Sequence, residues 1–262
     1  MKGFKMIFDF SKIKIGGWIP DLPDIRDFLG LPEKLIRQLR RVPERYDLLE
    51  YLPYSHNQTT LGSCVMQGCC TGSELLDKKI DRNYIALSVL MGYFEARKRL
   101  GKEYINQDSG AYIRDGIKVL NKIGVCSLEL WPYEVEKFTQ EPPAECYESA
   151  KKHKLIEYRR LLNLSDIKAA IFSGSPVVAG FTLYESFMDD NTAATGEVQM
   201  PEQDESVIGG HCMLIVGYEA DYFIVVNSWG AEWGHNGLCY VPYDYLPMMD
   251  DMWMMSKINY NQ

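Results

Sequence analysis

From Cys64 to about Lys79 the apolar residues Val65, Cys69, Leu75 and Leu76 recur at helical spacing, which predicts a helix with one buried face. A second helix is predicted through Tyr84, Leu87, Met91, Phe94 and Leu100, stopped by Gly101, and a third from Tyr112 to Ile123, stopped by Gly124. A polar, proline-containing stretch from Thr139 to Lys154 then marks a boundary. Beyond it the spacing predicts a short helix from about Ser165 to Ser173, followed by the apolar run Pro176 to Leu183. The pattern then changes to strands. Cys212 to Tyr218, Tyr222 to Ser228 and Leu238 to Val241 are short, β-branched or aromatic, and separated by glycine or acidic turn residues, as in an antiparallel sheet.

Before these elements, Met1 to Tyr54 holds Pro20, Pro23, Pro32, Pro43 and Pro53 and one predicted short helix, Pro32 to Arg41. Such a segment is an arm lying on something else. No internal repeat is present. The pattern predicts an α+β chain: a helical lobe, then a β-rich lobe, with a groove between them where function collects.

Composition narrows the class. With 262 residues, 46% hydrophobic and 24% charged, the chain is not disordered, collagenous or a small disulfide scaffold. At this length folding buries roughly 70–75% of the surface of the unfolded chain, so no metal, cofactor or disulfide is needed as a staple. Twenty-eight basic against thirty-six acidic residues give a net charge of −8, which disfavours nucleic acid and anionic membranes as partners. No uncharged stretch approaches the ~20 residues of a membrane helix. Lys2 and Lys5 suit a secretory signal, but Asp9, Lys12 and Lys14 interrupt the apolar stretch it requires. The seven cysteines are odd in number and lack paired CxxC spacing. Together these features point to the cytoplasm or another reducing compartment.

Of the four histidines, His153 lies in the charged run Lys151 to Lys154, and His56 and His235 sit in turn-like contexts, where hydrogen bonding or exposure is the ordinary account. His211 follows Gly209-Gly210 and leads an apolar strand, so its ring projects from a rigid sheet edge. A structural histidine at a strand start is the alternative. Cys64 follows turn formers and opens a helix that Ser63 or a neighbour caps, which leaves backbone N–H groups and positive dipole potential near the thiol. A thiolate is stabilised in such a place. Cys69, Cys70 and Cys212 suit ordinary core positions. A Cys–His couple needs a third group to hold the imidazole, and Asn227, at the end of the strand beside His211, carries a suitable amide.

Gln58, Gly62-Ser63-Cys64, Gly209-Gly210-His211 and Asn227-Ser228-Trp229-Gly230, followed by Trp233-Gly234 and Gly237, resemble the motifs of the papain-like cysteine peptidases. Cys64 precedes His211 by 147 residues and His211 precedes Asn227 by 16, an order and spacing that fit the family. The likeness runs from about Asp47 to Tyr245; Leu87-Ser88, Ser109-Gly110 and Trp131-Pro132-Tyr133 also fall at related local patterns.

The resemblance implies the two-lobed papain-like fold, with an arm over residues 1–46 and a peptidase domain over 47–262, its helical lobe at about 55–138 and its β-rich lobe at about 155–247. It implies a cysteine endopeptidase acting on peptides or proteins without metal or organic cofactor. Cys64 is then the nucleophile, His211 the base and later the acid, Asn227 the imidazole orienter, and Gln58 an oxyanion-hole donor together with the Cys64 backbone N–H. Trp229 shields the Asn227–His211 bond, and Trp233 lines the leaving-group side of the cleft. Ser109-Gly110 forms the wall that binds substrate backbone. Gly180 and Cys212 border the main side-chain pocket, with a residue near Met248 at its far end and no obvious acid, which suits a bulky apolar side chain; Gly210 belongs to the substrate cleft. The Met-rich segment from Met248 to Met255 fits core or lobe-bridging packing equally well. The chain departs from the family pattern at Val65, where an aromatic residue is usual, and at Leu61, where a cysteine is usual, so a customary disulfide is absent. The leader Gly17 to Asp27 resembles the short proline-rich leaders of microbial or viral members, and it has two possible placements: across the groove, restraining activity, or packed on the back of the domain. The alternatives in function are a peptide-binding module without chemistry, or an exopeptidase or transferase on the same fold.

Overall fold

The computed structural model describes residues 8–37 and 39–257. In chain order the elements are β1 (Trp18–Ile19), α1 (Glu33–Ile36), β2 (Tyr46–Asp47), α2 (Cys64–Asp81), α3 (Val89–Leu100), β3 (Ala111–Tyr112), α4 (Ile113–Lys122), α5 (Ala144–Ala150), β4 (Glu157–Arg160), α6 (Leu164–Phe172), β5 (Val177–Tyr184), α7 (Asp190–Thr195), β6 (Val207–Tyr218), β7 (Tyr222–Val226), β8 (Leu238–Pro242) and β9 (Met249–Ser256). Helices α2, α3 and α4 pack together as the helical lobe, and the described residues build a seven-stranded sheet in the order β4-β9-β5-β6-β7-β8, with β2 added to β6. The fold is the predicted α+β arrangement.

The interface between the lobes is α2 laid against β5, β6 and β9. Gly68 allows this approach: a Cβ there would stand 3.1 Å from Val178 Cγ2 and 3.6 Å from Cys212 Sγ. The spacing predicted one buried face, but every residue of α2 from Cys64 to Leu76 is buried: the helix is enclosed on all sides by the rest of the fold. Strand β6 begins at Val207, not at Cys212, so His211 lies inside it opposite Phe181 of β5, and the antiparallel pairing of β6 with β7 brings Asn227, the residue after β7, to His211.

Several boundaries differ from the sequence expectation. The second helix begins at Val89, not Tyr84: Ser88 Oγ accepts from Met91 N at 3.2 Å as its cap, and Leu87 bridges to Ser127 in extended form. The Thr139 to Lys154 stretch contains α5, whose Cys146 and Ala150 are buried. The helix expected over Pro32 to Arg41 divides into α1 and a 3-10 turn at Leu39–Arg41. The methionine-rich tail is β9, an interior strand between β4 and β5, and β4 itself carried no alternating pattern. Both strands are fixed by pairing across long sequence separations, which local periodicity does not report.

Candidate active site

Cys64 occupies the first position of α2, fully buried. Ser63 does not cap the helix with its side chain; its hydroxyl lies 2.7 Å from Tyr133 Oη, which leaves the first backbone N–H groups directed at the thiol. From the facing sheet, the Cys212 N–H donates to Cys64 Sγ at 3.4 Å. His211, one residue earlier, is held by Asn227: Oδ1 stands 2.8 Å from His211 Nε2 and also accepts from Ser228 N at 2.7 Å. The amide oxygen makes Nε2 the protonated nitrogen and leaves the lone pair on Nδ1, which has no hydrogen-bond partner among the described residues.

Gln58 is fully buried and its amide is fixed at both ends. Ser228 Oγ donates to Oε1 at 2.6 Å, while Nε2 donates to the carbonyls of Leu61 at 3.2 Å and Lys14 at 3.1 Å. Tyr133 Oη donates to the Gln58 carbonyl at 2.8 Å. Trp229 stacks obliquely beside His211, ring centroids 5.2 Å apart, and covers the imidazole. Trp233 is fully buried, its ring stacked on Phe187 with centroids 5.6 Å apart and edge-on to Trp229 at 5.2 Å.

Residues 8–18 of the N-terminal arm make contacts with these groups and their neighbours. Phe8 to Ile13 face Asn57, Thr59, Trp229 and Gly230 across a cavity of about 680 Å³. The Gly16 carbonyl accepts from Cys64 Sγ at 3.6 Å. The Gly17 carbonyl accepts from Ala111 N at 2.9 Å, and β1 pairs in parallel with β3 immediately after Ser109-Gly110. Trp18 lies against Gly180 and Gly210, where an added Cβ on either glycine would collide with the indole. Cys212 is buried with its sulfur turned toward α2, so it meets the cleft through its backbone. The later arm residues pack elsewhere: Asp27 pairs with Arg114 at 2.7 Å, and Leu31 and Leu35 are buried.

With the arm seated, water is excluded and both charged forms are disfavoured. Burial pushes the Cys64 thiol up to about 12, against the smaller lowering effect of the Cys212, Val65 and Cys64 N–H groups. Burial pulls His211 down to about 4, with the Asn227 bond acting in the opposite sense. Both shifts run against the thiolate–imidazolium pair expected from the sequence while the arm is in place.

Two polar groups, Asp108 and Asp251, escaped the sequence analysis. Asp108 accepts from Gly62 N at 2.9 Å and from Tyr93 Oη at 2.6 Å, and its Oδ2 lies 3.6 Å from Lys14 Nζ. His56, for which hydrogen bonding or exposure was expected, is the hydrogen-bonded case: it is buried with Nδ1 2.9 Å from Gln67 Oε1 and Nε2 3.0 Å from Glu74 Oε2. Asp251 is buried at the end of the slot that holds Trp18, contrary to the expectation of a pocket without an acid. The i, i+7 spacing of Gln67 and Glu74 on one helix face was a readable hint for His56; Asp251, which has φ of +49° on a strand bulge, gave none.

A profile of the papain family cysteine proteases matches residues 103–249, which include His211 and Asn227; Gln58 and Cys64 precede that span. The chain is 39% identical over 217 residues to an uncharacterised peptidase C1-like protein of Acanthamoeba polyphaga mimivirus, covering 77% of this chain and 69% of that protein. It is 25% identical over 233 residues to a cathepsin B-like protein of Giardia intestinalis, covering 81% and 73%. Among solved structures, xylellain, a cysteine protease from Xylella fastidiosa, matches with a TM-score of 0.84 at 33% identity over 95% of this chain and 98% of that one. With the two-lobed fold around a cysteine, a histidine and an asparagine, these likenesses establish that the chain belongs to the papain family of cysteine peptidases.

Proposed function

We propose that this protein is an endopeptidase in which Cys64 is the nucleophile, His211 the base and then the acid, Asn227 the orienter, and Gln58 with the Cys64 N–H the oxyanion-hole donors. We propose further that the described conformation is a latent one, in which residues 14–18 occupy the place of a substrate. One observation carries both parts: Gln58 Nε2 donates to the Lys14 carbonyl while Cys64 Sγ contacts the Gly16 carbonyl, so backbone carbonyls of the arm sit on the groups that would receive a scissile one.

When the arm leaves, water returns to the thiol and the ring, and the proton passes from Sγ to Nδ1. The thiolate attacks the carbonyl carbon, and the oxygen takes its charge against Gln58 Nε2 and the Cys64 N–H. The imidazolium, fixed through Nε2 by Asn227, gives its proton to the leaving nitrogen; the C–N bond breaks and a thioester remains. Water, deprotonated by the neutral ring, then hydrolyses it and restores the thiol. The cavity beyond Trp229 leaves room for a chain continuing past the scissile bond, which supports cleavage within chains. The free thiols at all seven cysteines are in keeping with a reducing compartment.

The test is labelling by a peptidyl epoxide, with the modified residue read by mass spectrometry, alongside hydrolysis of an internally quenched peptide. Stoichiometric modification of Cys64 and loss of hydrolysis in Cys64→Ala are expected. Hydrolysis undiminished in Cys64→Ala would reject the assignment.

A further inference from the structure

We propose that Tyr133, the last residue of the Trp131-Pro132-Tyr133 motif, is a positioning residue for the reaction: its hydroxyl sets the spacing of the oxyanion hole by tying Gln58 to Ser63, the residue before Cys64. This role rests on the reading of Gln58 Nε2 and the Cys64 N–H as the two oxyanion-hole donors.

Those donors stand at the two ends of an irregular loop. Between Tyr51 and Cys64 the chain forms no helix or strand, so no regular ladder fixes how far apart they lie. An oxyanion needs each donor at about 2.7–3.1 Å, which leaves little tolerance in that separation. Tyr133 supplies the missing constraint from outside the loop. Its Oη donates to the Gln58 carbonyl at 2.8 Å and stands 2.7 Å from Ser63 Oγ. A phenol has one hydrogen, and here it goes to Gln58, so Ser63 Oγ is the donor in the second bond. Ser63 Oγ in turn accepts from Gln67 Nε2 at 3.4 Å, one turn further along α2. A single oxygen thus holds both ends of the loop.

Tyr133 is itself anchored. Ser88, which caps α3, donates from Oγ to the Trp131 carbonyl at 2.6 Å, and Pro132 restricts the backbone between them. Burial pushes the Tyr133 hydroxyl up to about 12, so it keeps its proton and remains a donor at neutral pH. The Gln58 carbonyl also accepts from Leu61 N at 3.2 Å. Loss of the Tyr133 hydroxyl therefore frees the Ser63 end without leaving that carbonyl unpaired.

The experiment measures hydrolysis of an internally quenched peptide by the full chain and by Tyr133→Phe, Gln58→Ala and the double variant. An arm that competes with substrate raises KM and leaves kcat unchanged, so kcat is the quantity compared. Tyr133→Phe should lower kcat roughly tenfold with KM little changed. In the already slow Gln58→Ala background the same change should cost less than about twofold, because the spacing then serves only one donor. Ser63→Ala removes the other end of the bridge; it should lower kcat by a similar factor, and combining it with Tyr133→Phe should add little. Equal fold losses from Tyr133→Phe with and without Gln58, or parental kcat in Tyr133→Phe or in Ser63→Ala, would overturn the proposal while leaving Gln58 in its role. Parental kcat in Gln58→Ala would instead reject the oxyanion-hole reading, and this inference with it.

Discussion

Gln58 Nε2 donates to the carbonyl oxygen of Lys14 at 3.1 Å: the side chain assigned to a substrate's oxyanion already holds a carbonyl of its own chain. Two residues on, the Gly16 carbonyl meets the Cys64 thiol, and four residues on, Trp18 fills the neighbouring slot. Contacts this closely spaced make the seated arm sensitive to small changes.

Gly17 is the most demanding of these positions. Its φ of +122° is one that L residues rarely adopt, and a Cβ there would overlap Gly62 O and reach 3.0 Å from Cys64 Sγ. Gly17→Ala in the full chain should therefore dislodge the arm and raise kcat/KM toward a quenched peptide about tenfold or more. Activity equal to the parent, in a variant with unchanged circular dichroism, would count against the latent reading.

Gln58→Ala removes an oxyanion donor. Turnover should fall roughly 10²–10³-fold, or about 3–4 kcal/mol in the barrier, while the fold persists. Steady-state kinetics with a thermal melt as control decides the matter; a variant with parental kcat rules Gln58 out of the hole.

Ser228 acts one bond further away. Its hydroxyl donates to Gln58 Oε1 at 2.6 Å and thereby aims Nε2 into the cleft. Ser228→Ala should lower kcat by about five- to tenfold with KM little changed, from the loss of one hydrogen bond of ~1 kcal/mol. Ser228→Thr keeps the hydroxyl and should restore most of the rate; equal loss in both variants would mean packing, not orientation, is at stake.

Acidity should tighten the arm. Asp21 is pushed up to about 7, chiefly by burial and then by the charge of Asp251, and Asp251 is also raised by burial. A carboxyl whose pKa is higher with the arm docked than in water binds a proton on docking, so docking strengthens as pH falls from about 7 toward the ordinary carboxylate range and weakens as pH rises through 7. Labelling of the full chain should thus be slower at pH 5 than at pH 7.5 relative to Gly17→Ala, and Asp21→Asn should flatten the difference. The opposite slope would refute the assignment.

Beneath the catalytic helix, His56 couples Glu74 and Gln67 on α2 to the loop before Gln58, and its carbonyl accepts from Gly230 N at 2.9 Å. His56→Ala leaves Gln67 Oε1 and Glu74 Oε2 without this buried hydrogen-bond partner and should destabilise the protein by about 1–3 kcal/mol. Chemical denaturation measures this directly; a loss under about 1 kcal/mol would show the pair to be dispensable.

The catalytic constellation was legible in the sequence through the resemblance of its short motifs taken together; alone, the thiol at a helix start and the imidazole behind two glycines each admitted an ordinary structural account. Helices α2, α4 and α6 and strands β5 to β8 were legible because periodicity within ten or so residues reports a buried face. The tertiary structure alone decided what depends on distant partners. Strand β9 exists because β4 and β5 flank it, and His56 is a buried hydrogen-bonded group because α2 presents Gln67 and Glu74 to it. The charge state of Cys64 and His211 belongs with these. Sequence supplies a thiol and an imidazole, but whether they carry charge depends on the water left around them, and that is set by where the arm lies.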